Sequence, residues 1–186
     1  MEAEWPIALS LLHRAFIDEP FNVEMYGEDR LARWAGSWTL YEPLRHDQYA
    51  LALAARAEQT IVGIVIGSLP EHCHVCSVLA LEQRPEDSHL AIDWEFHHNI
   101  AAVHAPLGPH AWVDKVAVEP TLQGLGIGRL LLDAAHETLG DAVPTALLLE
   151  CQPHRRTFYQ TAGFECVTTF PDPSGPDALL MRRTVP

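Results

Sequence analysis

Hydrophobic positions in the first third of the chain follow helical spacing and then strand spacing. Apolar residues recur at helical spacing over residues 5–17, and Asp18-Glu19-Pro20 is predicted to end that helix. A second helical face lies between about 28 and 39. Apolar positions then alternate over 49–55, and a β-branched run covers 61–69. The short polar turn between these two runs predicts a β-hairpin that follows two helices.

The hydrophobic pattern is weakest between residues 70 and 110 and sharpens after them. The weak part contains a candidate strand over 75–81, a charged turn at 84–87 and a predicted helix over about 88–105. The remainder predicts, in order, strand 112–118, turn 119–121, helix 125–139, strand 145–151, helix 154–162 with Gly163 as its C-cap, strand 164–170 and strand 177–183. This mixture of hairpins and crossovers predicts an α/β or α+β mixed sheet covered by helices.

Length, composition and charge narrow the classes of function. The 186 residues suit one domain, 1–186, with a sizeable buried core. No stretch approaches the roughly 20 apolar residues of a membrane span, and the N-terminus lacks a secretory pattern, so we expect a cytoplasmic protein. A net charge of −13 argues against nucleic acid, whose binding needs a basic face, and suits a cationic small-molecule substrate.

Two groups of residues raise the question of a metal site. Cys73-His74-Val75-Cys76 has the spacing of half a zinc site, but a second Cys-x-x-Cys is absent from the sequence. His97 and His104 lie seven residues apart, so one helix face can carry both, without forming a compact ligand set. We therefore interpret the cysteines as ordinary thiols beside a strand and predict no metal.

The run Gln123-Gly124-Leu125-Gly126-Ile127-Gly128, at the start of a predicted helix, is typical of a phosphate-binding turn. A Walker loop would need a lysine and a hydroxyl after Gly128, where Arg129 and Leu130 stand. The dinucleotide fingerprint needs Gly-x-Gly-x-x-Gly, and the spacing here differs. The pattern fits the pyrophosphate of coenzyme A, because glycines let backbone N–H groups approach it. Tight helix–sheet packing is the structural alternative for these glycines.

Two motifs together resemble one known family. Val116 to Pro120 followed by Gln123 to Gly128 is similar to the acetyl-CoA motif of the GNAT superfamily of N-acyltransferases. About 40 residues later, the run from Thr157 to Phe164 (TFYQTAGF) is similar to its second signature. The resemblance covers about 48–183. Within the superfamily, the chain looks most like the puromycin N-acetyltransferase-like group.

The resemblance implies the GNAT fold, a mostly antiparallel sheet splayed at the cofactor strand and flanked by helices. The family usually opens with a strand before its first helix, whereas only Met1 to Trp5 precede the predicted helix here. The resemblance also implies that the acetyl-CoA cosubstrate is held by the cofactor strand and the glycine-rich loop: Val116, Ala117, Val118, Gln123, Gly124, Leu125, Gly126, Ile127, Gly128 and Arg129.

Tyr159 and Glu150 are the predicted catalytic residues. A phenol with a pKa near ~10 suits protonation of a leaving thiolate, and Tyr159 is the tyrosine of the second motif. Glu150 ends the strand next to the motif strand, and the resemblance supports it as the base that deprotonates the ammonium. The structural alternatives are an aromatic ring packed on the sheet and a carboxylate at a strand end. Glu95, Asp114, His97 and His98 are reserve bases.

The expected activity is transfer of an acetyl group from acetyl-CoA to a primary amine of a small molecule, by direct attack in a ternary complex. The helix in the 70–110 insertion is expected to wall the acceptor site, and the candidate substrate residues are Phe21, Trp94, Glu95, Trp112 and Asp114. A catalytically silent acyl-CoA sensor and a protein N-acetyltransferase are the alternatives. A homodimer through the final strands is a further expectation from the resemblance.

Overall fold

The computed structural model describes residues 4–41, 51–68, 84, 86, 88–108, 110–140 and 146–184. Three helices come first: α1 (Trp5–Phe16), α2 (Pro20–Tyr26) and α3 (Arg30–Tyr41). The hairpin β1 (Leu51–Ala57) and β2 (Thr60–Ser68) leads to the long helix α4 (Ser88–His104). The remaining elements are β3 (Ala111–Val118), α5 (Ile127–Gly140), β4 (Ala146–Cys151), α6 (Arg156–Thr161), β5 (Glu165–Phe170) and β6 (Ala178–Thr184).

The six strands form one sheet in the order β1-β2-β3-β4-β6-β5. Every neighbouring pair is antiparallel except β3 and β4, which run parallel and are joined through the crossover helix α5. The predicted fold class, a mixed and mostly antiparallel sheet flanked by helices, is confirmed.

The sheet splays between β3 and β4. These strands pair at two positions only, Ala111 with Leu147 and Trp112 with Leu148. Pairing of β3 with β2 continues to Val118, and pairing of β4 with β6 continues to Cys151. The ends of β3 and β4 therefore diverge, and within the described ranges no strand lies beside the backbone edge that each leaves open.

Side chains alternate along each strand, so the sheet packs its core residues against helices on both of its faces. Ile64 and Ile66 of β2 pack with α1, while Val65 between them joins the cluster formed with α5. In β4, Leu148 packs in the α4 cluster, while Leu147 and Leu149 face α5. By the same alternation, Glu150 lies on the face covered by α4, and its neighbour Cys151 belongs to the α5 cluster.

A β-bulge in β3 changes the register beside the splayed region. Ile66 of β2 pairs with Lys115, whereas the next residue of β2, Gly67, pairs with Val113. Asp114 is therefore the extra residue of the bulge. Gly67 lies close to this strand: a Cβ there would be 2.5 Å from the carbonyl oxygen of Trp112. The close backbone approach explains why glycine occupies this position of an otherwise apolar strand.

The structure extends one of the sequence predictions, and others lie outside the described residues. The prediction that Asp18-Glu19-Pro20 ends the first helix is right, but α2 was missed: Pro20 is its first residue, a position where proline costs no hydrogen bond. The candidate strand 75–81 and the Cys73–Cys76 pair lie outside the described residues. Within the described ranges, no group of three metal-ligating side chains occurs, and no helix has the length and apolar character to cross a bilayer.

Candidate active site

The splayed region opens into a cavity of about 710 Å³. The ends of β3 and β4 form its centre, the glycine-rich loop and α6 form one side, and α2 and α4 form the other. The loop between β5 and β6 adds Asp172, and Ala178 follows at the start of β6. The residues predicted to hold acetyl-CoA all line this cavity except Leu125, whose side chain is exposed.

The glycine-rich loop has the backbone geometry of an anion cradle. Gly124 and Gly126 have φ values of 81° and 84°, in the left-handed region that favours glycine. A Cβ on either would meet no atom within 4 Å, so the space in front of the loop is open. The first bond of α5 joins the Leu130 N–H to the Gly126 carbonyl at 3.1 Å, which leaves the preceding amides as donors at the helix start. This arrangement fits a pyrophosphate.

Side chains anchor the loop to its neighbours. The Gln123 amide donates to the Val118 carbonyl oxygen at 3.3 Å, which ties the loop to the end of β3. Phe158 of α6 packs over Gly128, where a Cβ would be 3.0 Å from the ring. Arg129 is 64% exposed at the loop and its Nε lies 3.8 Å from Asp133, so its charge is accessible to a phosphate.

Substitution of Gly126 by alanine should weaken acetyl-CoA binding about tenfold. The strained φ costs about 1–2 kcal/mol in the native loop, and the loop relaxes this strain by turning its amides away from the anion. Isothermal titration calorimetry with acetyl-CoA measures the change. Gly27→Ala is the matched control, because Gly27 also has a positive φ, 79°, with no atom within 4 Å of an added Cβ. It should lower Tm without changing the acetyl-CoA Kd; equal affinity of both variants contradicts the cradle.

Tyr159 lies in α6 on the α5 side of the opening. Its ring meets Phe158 and Phe164 edge-on, at centroid distances of 4.9 and 6.0 Å. Burial raises the pKa of the phenol, and Cys151 and Glu150 nearby act in the same direction. The hydroxyl is therefore protonated at neutral pH, the state that a proton donor requires.

Glu150 lies on the α4 side of the same opening. Its Oε2 atom is buried and has no hydrogen-bond partner among the described residues. Burial raises the pKa of this carboxyl to about 7; Asp114 adds to the increase, while Lys115 and His97 oppose it. A carboxyl that titrates near neutrality can accept and release a proton under ordinary conditions.

Cys151 is the nucleophilic side chain next to these two groups. The residue is 7% exposed, and burial raises the pKa of its thiol to about 12. The thiol is therefore neutral at pH 7, which disfavours Cys151 as a nucleophile.

One face of α4 forms the wall opposite the glycine-rich loop. Asp93, Phe96, His97 and Ile100 line the cavity, at the spacing of a single helical stripe. The His97 ring lies 3.2 Å from the Asp93 carboxylate; burial lowers the pKa of His97, but Asp93 outweighs it and the net shift is upward. Phe21, Trp112 and Asp114, three of the predicted substrate residues, line the same cavity.

The other two predicted substrate residues, Trp94 and Glu95, do not line the cavity. They are one and two positions past Asp93, and each step turns the side chain by about 100° around the helix, away from the stripe. Trp94 stacks on His98 at 4.6 Å, and Glu95 pairs with Arg84 at 3.3 Å on the surface. We therefore leave both out of the substrate site.

Sequence reasoning missed several polar residues of the cavity. Lys115 follows the bulge, and its Nζ lies 3.3 Å from the Asp114 carboxylate. Gln152 and Asp172 also line the cavity, although 20 residues separate them. Gln152 follows β4 in extended backbone, which turns it to the same side as Glu150, but no sequence signal brings Asp172 there.

The family comparison agrees with this geometry. The family model described as "Acetyltransferase (GNAT) domain" matches residues 49–166, well over half of the chain. The chain belongs to the GNAT acetyltransferase family, and it is an acetyl-CoA-dependent N-acetyltransferase. A comparison with curated proteins finds no match.

Solved structures with a similar fold cover nearly the whole chain. A structure named as histone acetyltransferase HPA2 and related acetyltransferase from Corynebacterium glutamicum is 22% identical, with a TM-score of 0.70, over 100% of this chain and 93% of that one. A Drosophila melanogaster polyamine N-acetyltransferase is 14% identical, with a TM-score of 0.65, over 97% and 93%. A mosquito arylalkylamine N-acetyltransferase-like 5b is also 14% identical, with a TM-score of 0.66, over 98% and 95%. At these identities the similarity concerns the fold.

Proposed function

We propose that this enzyme acetylates a primary amine of a small, cationic or aromatic molecule by direct attack in a ternary complex. The observation that carries the proposal is the position of Glu150 and Tyr159 on opposite faces of the splayed strands, lining one cavity. Transfer of an acetyl group from a thioester to an ammonium requires a base on the acceptor side and an acid on the thioester side.

Acetyl-CoA supplies the activated acetyl group as a thioester. The glycine-rich loop and Arg129 hold its pyrophosphate, and the free backbone edge of β3 at Val116–Val118 lies along the pantetheine arm as an added strand would. A backbone N–H near Val116 donates to the carbonyl oxygen as that oxygen gains negative charge. Glu150 takes a proton from the ammonium, directly or through water, and the neutral nitrogen attacks the thioester carbon. As the C–S bond breaks, the Tyr159 hydroxyl gives its proton to the departing sulfur, and the nitrogen releases its second proton to the Tyr159 oxygen, directly or through water.

The cavity favours a cationic acceptor. Five carboxyl groups line it, from Glu19, Asp93, Asp114, Glu150 and Asp172. Arg155 pairs with Glu19, His97 lies beside Asp93, and Lys115 lies beside Asp114. Phe21, Phe96 and Trp112 add aromatic faces that attract an ammonium or stack on a ring. Similar folds occur in the polyamine and arylalkylamine N-acetyltransferases named above, which supports small amines as the class to test. The puromycin-like subgroup adds puromycin as a candidate.

Acetyl-CoA turnover against a panel of amines tests the proposal, with free CoA detected by a thiol reagent. The panel contains polyamines, arylalkylamines, arylamines, puromycin and short peptides. Turnover with a small amine and none with peptides is the expected result. If calorimetry shows that acetyl-CoA binds but no amine is turned over, the protein is an acyl-CoA sensor. If only peptides are turned over, the acceptor is a protein. The cytoplasmic location and the homodimer stay predictions.

A further inference from the structure

Gln152 and Asp172 form a contact inside the acceptor cavity, and the Gln152 amide has no part in the roles assigned above. The Gln152 Nε2 group donates to the Asp172 Oδ2 atom. Asp172 is 7% exposed, and its other oxygen accepts hydrogen bonds from the Ser174 backbone N–H at 2.8 Å and from the Ser174 hydroxyl at 2.6 Å. The β5–β6 loop therefore holds the Asp172 carboxylate in one orientation.

The Asp172 carboxylate also determines which way the Gln152 amide points. A carboxylate only accepts hydrogen bonds, so the amide must present its NH₂ group to Asp172. The Oε1 atom of Gln152 is then the free end of the amide. It is buried and has no hydrogen-bond partner among the described residues. A buried carbonyl oxygen without a partner carries an energetic cost that a ligand donor can remove.

Gln152 lies beside the proposed base. It lies one residue past the end of β4, and its backbone is still extended, with φ −69° and ψ 150°. Side chains two positions apart in extended backbone point to the same side, and both Glu150 and Gln152 line the cavity. Such residues are about 6.6 Å apart along the chain. One small molecule can therefore contact both residues. Its reacting nitrogen would lie at Glu150, and a second hydrogen-bond donor, a few bonds from that nitrogen, would lie at Gln152.

We propose that Gln152 is a specificity-determining residue whose Oε1 accepts a hydrogen bond from a second donor of the acceptor substrate, and that Asp172 positions the amide for this contact. The preferred substrate is then a primary amine with a hydroxyl or amino group two to four bonds from the reacting nitrogen. This inference rests on the proposed function. It narrows the acceptor from any cationic amine to one with two donors.

Two amines of equal size provide the test. 3-Aminopropan-1-ol and butan-1-amine differ only by a hydroxyl in place of a methyl group, so the overall charge of the cavity affects both equally. We expect wild-type kcat/KM to favour the amino alcohol at least about tenfold, since a site with a buried polar group rejects an analogue that leaves it unpaired. Gln152→Met, of similar size, should reduce that preference to about twofold or less, and the KM for acetyl-CoA should stay unchanged.

Two further variants separate orientation of the amide from loop stability. The amide that Asp172→Asn introduces can both donate and accept, so the Gln152 amide can turn either way. The preference for the amino alcohol should therefore fall in this variant. Asn99→Ala removes a different anchor of the same loop, the bond from Asn99 Nδ2 to the Pro171 carbonyl at 3.1 Å, and should keep the preference. Equal wild-type kcat/KM for the two amines would overturn the inference and leave the proposed function intact. Failure of every amine in the larger panel would overturn both.

Discussion

Replacement of Tyr159 by phenylalanine should lower kcat about 10²–10⁴-fold, the range for loss of a general acid. Burial raises the pKa of the phenol above its ordinary value, so the hydroxyl is protonated at neutral pH and has a proton to give to the departing sulfur. The ring contacts with Phe158 and Phe164 remain in the variant. Steady-state kinetics with the best amine, together with the Kd for acetyl-CoA, measure the effect: kcat falls while the acetyl-CoA Kd changes little.

Tyr41→Phe is the matched control for the loss of a hydroxyl. Tyr41 lines the same cavity, and its hydroxyl accepts a hydrogen bond from Asn22 at 3.2 Å. Its removal should cost about 1 kcal/mol of stability and leave kcat within a few-fold of the wild type. A Tyr159→Phe enzyme that retains a third or more of the wild-type kcat would rule Tyr159 out as the acid.

Replacement of Glu150 by glutamine should lower kcat/KM about 10²–10⁴-fold at pH 8 and remove the acidic limb of its pH profile. Glu150 accepts a proton only as a carboxylate, and burial raises its pKa to about 7. Wild-type kcat/KM should therefore fall tenfold per pH unit below about pH 7 and level off above it. A wild-type profile that is flat from pH 5.5 to 8 would exclude Glu150 as the base.

The same substitution should stabilise the fold at alkaline pH. The folded-state pKa is raised from 4.5 to about 7, so between these values the folded protein holds a proton that the unfolded chain releases. The stability contribution of Glu150 therefore decreases as pH rises through this window. Above pH 7, Glu150→Gln should exceed the wild type by on the order of 1–3 kcal/mol, and the difference should shrink towards pH 4.5. Urea unfolding at both ends of the window measures it.

Glu95→Gln is the control for both measurements on Glu150→Gln, the activity and the pH dependence of stability. Glu95 lies on α4 outside the cavity, where it pairs with Arg84 on the surface. An exposed pair of this kind contributes little, so activity and the pH dependence of stability should match the wild type. A loss of activity in Glu95→Gln equal to that in Glu150→Gln would contradict the assignment of the cavity face of α4.

Local sequence was sufficient for the parts of the site that a few consecutive residues build. Gly124 and Gly126 need positive φ values and open space in front of the loop, and both requirements are visible as residue type and spacing. Tyr159 and Glu150 are found by a motif and by the end of a strand. The α4 wall was predicted as a helix, but its cavity stripe was not, because the residues of α4 offer no clear apolar face to choose by.

Only the tertiary structure decided how distant segments share the cavity. The splay between β3 and β4 arises from a pairing that stops at Trp112 and Leu148, and the bulge at Asp114 depends on the register with β2. The raised pKa of Glu150 comes from burial, with Asp114 of β3 acting in the same direction, and Asp172 reaches Gln152 from a loop 20 residues away. The sequence by itself determined the glycine-rich loop and the two motif positions, because short-range spacing controls them. Packing of the sheet against α4 decided the acceptor side, because burial and electrostatics depend on every element that meets there.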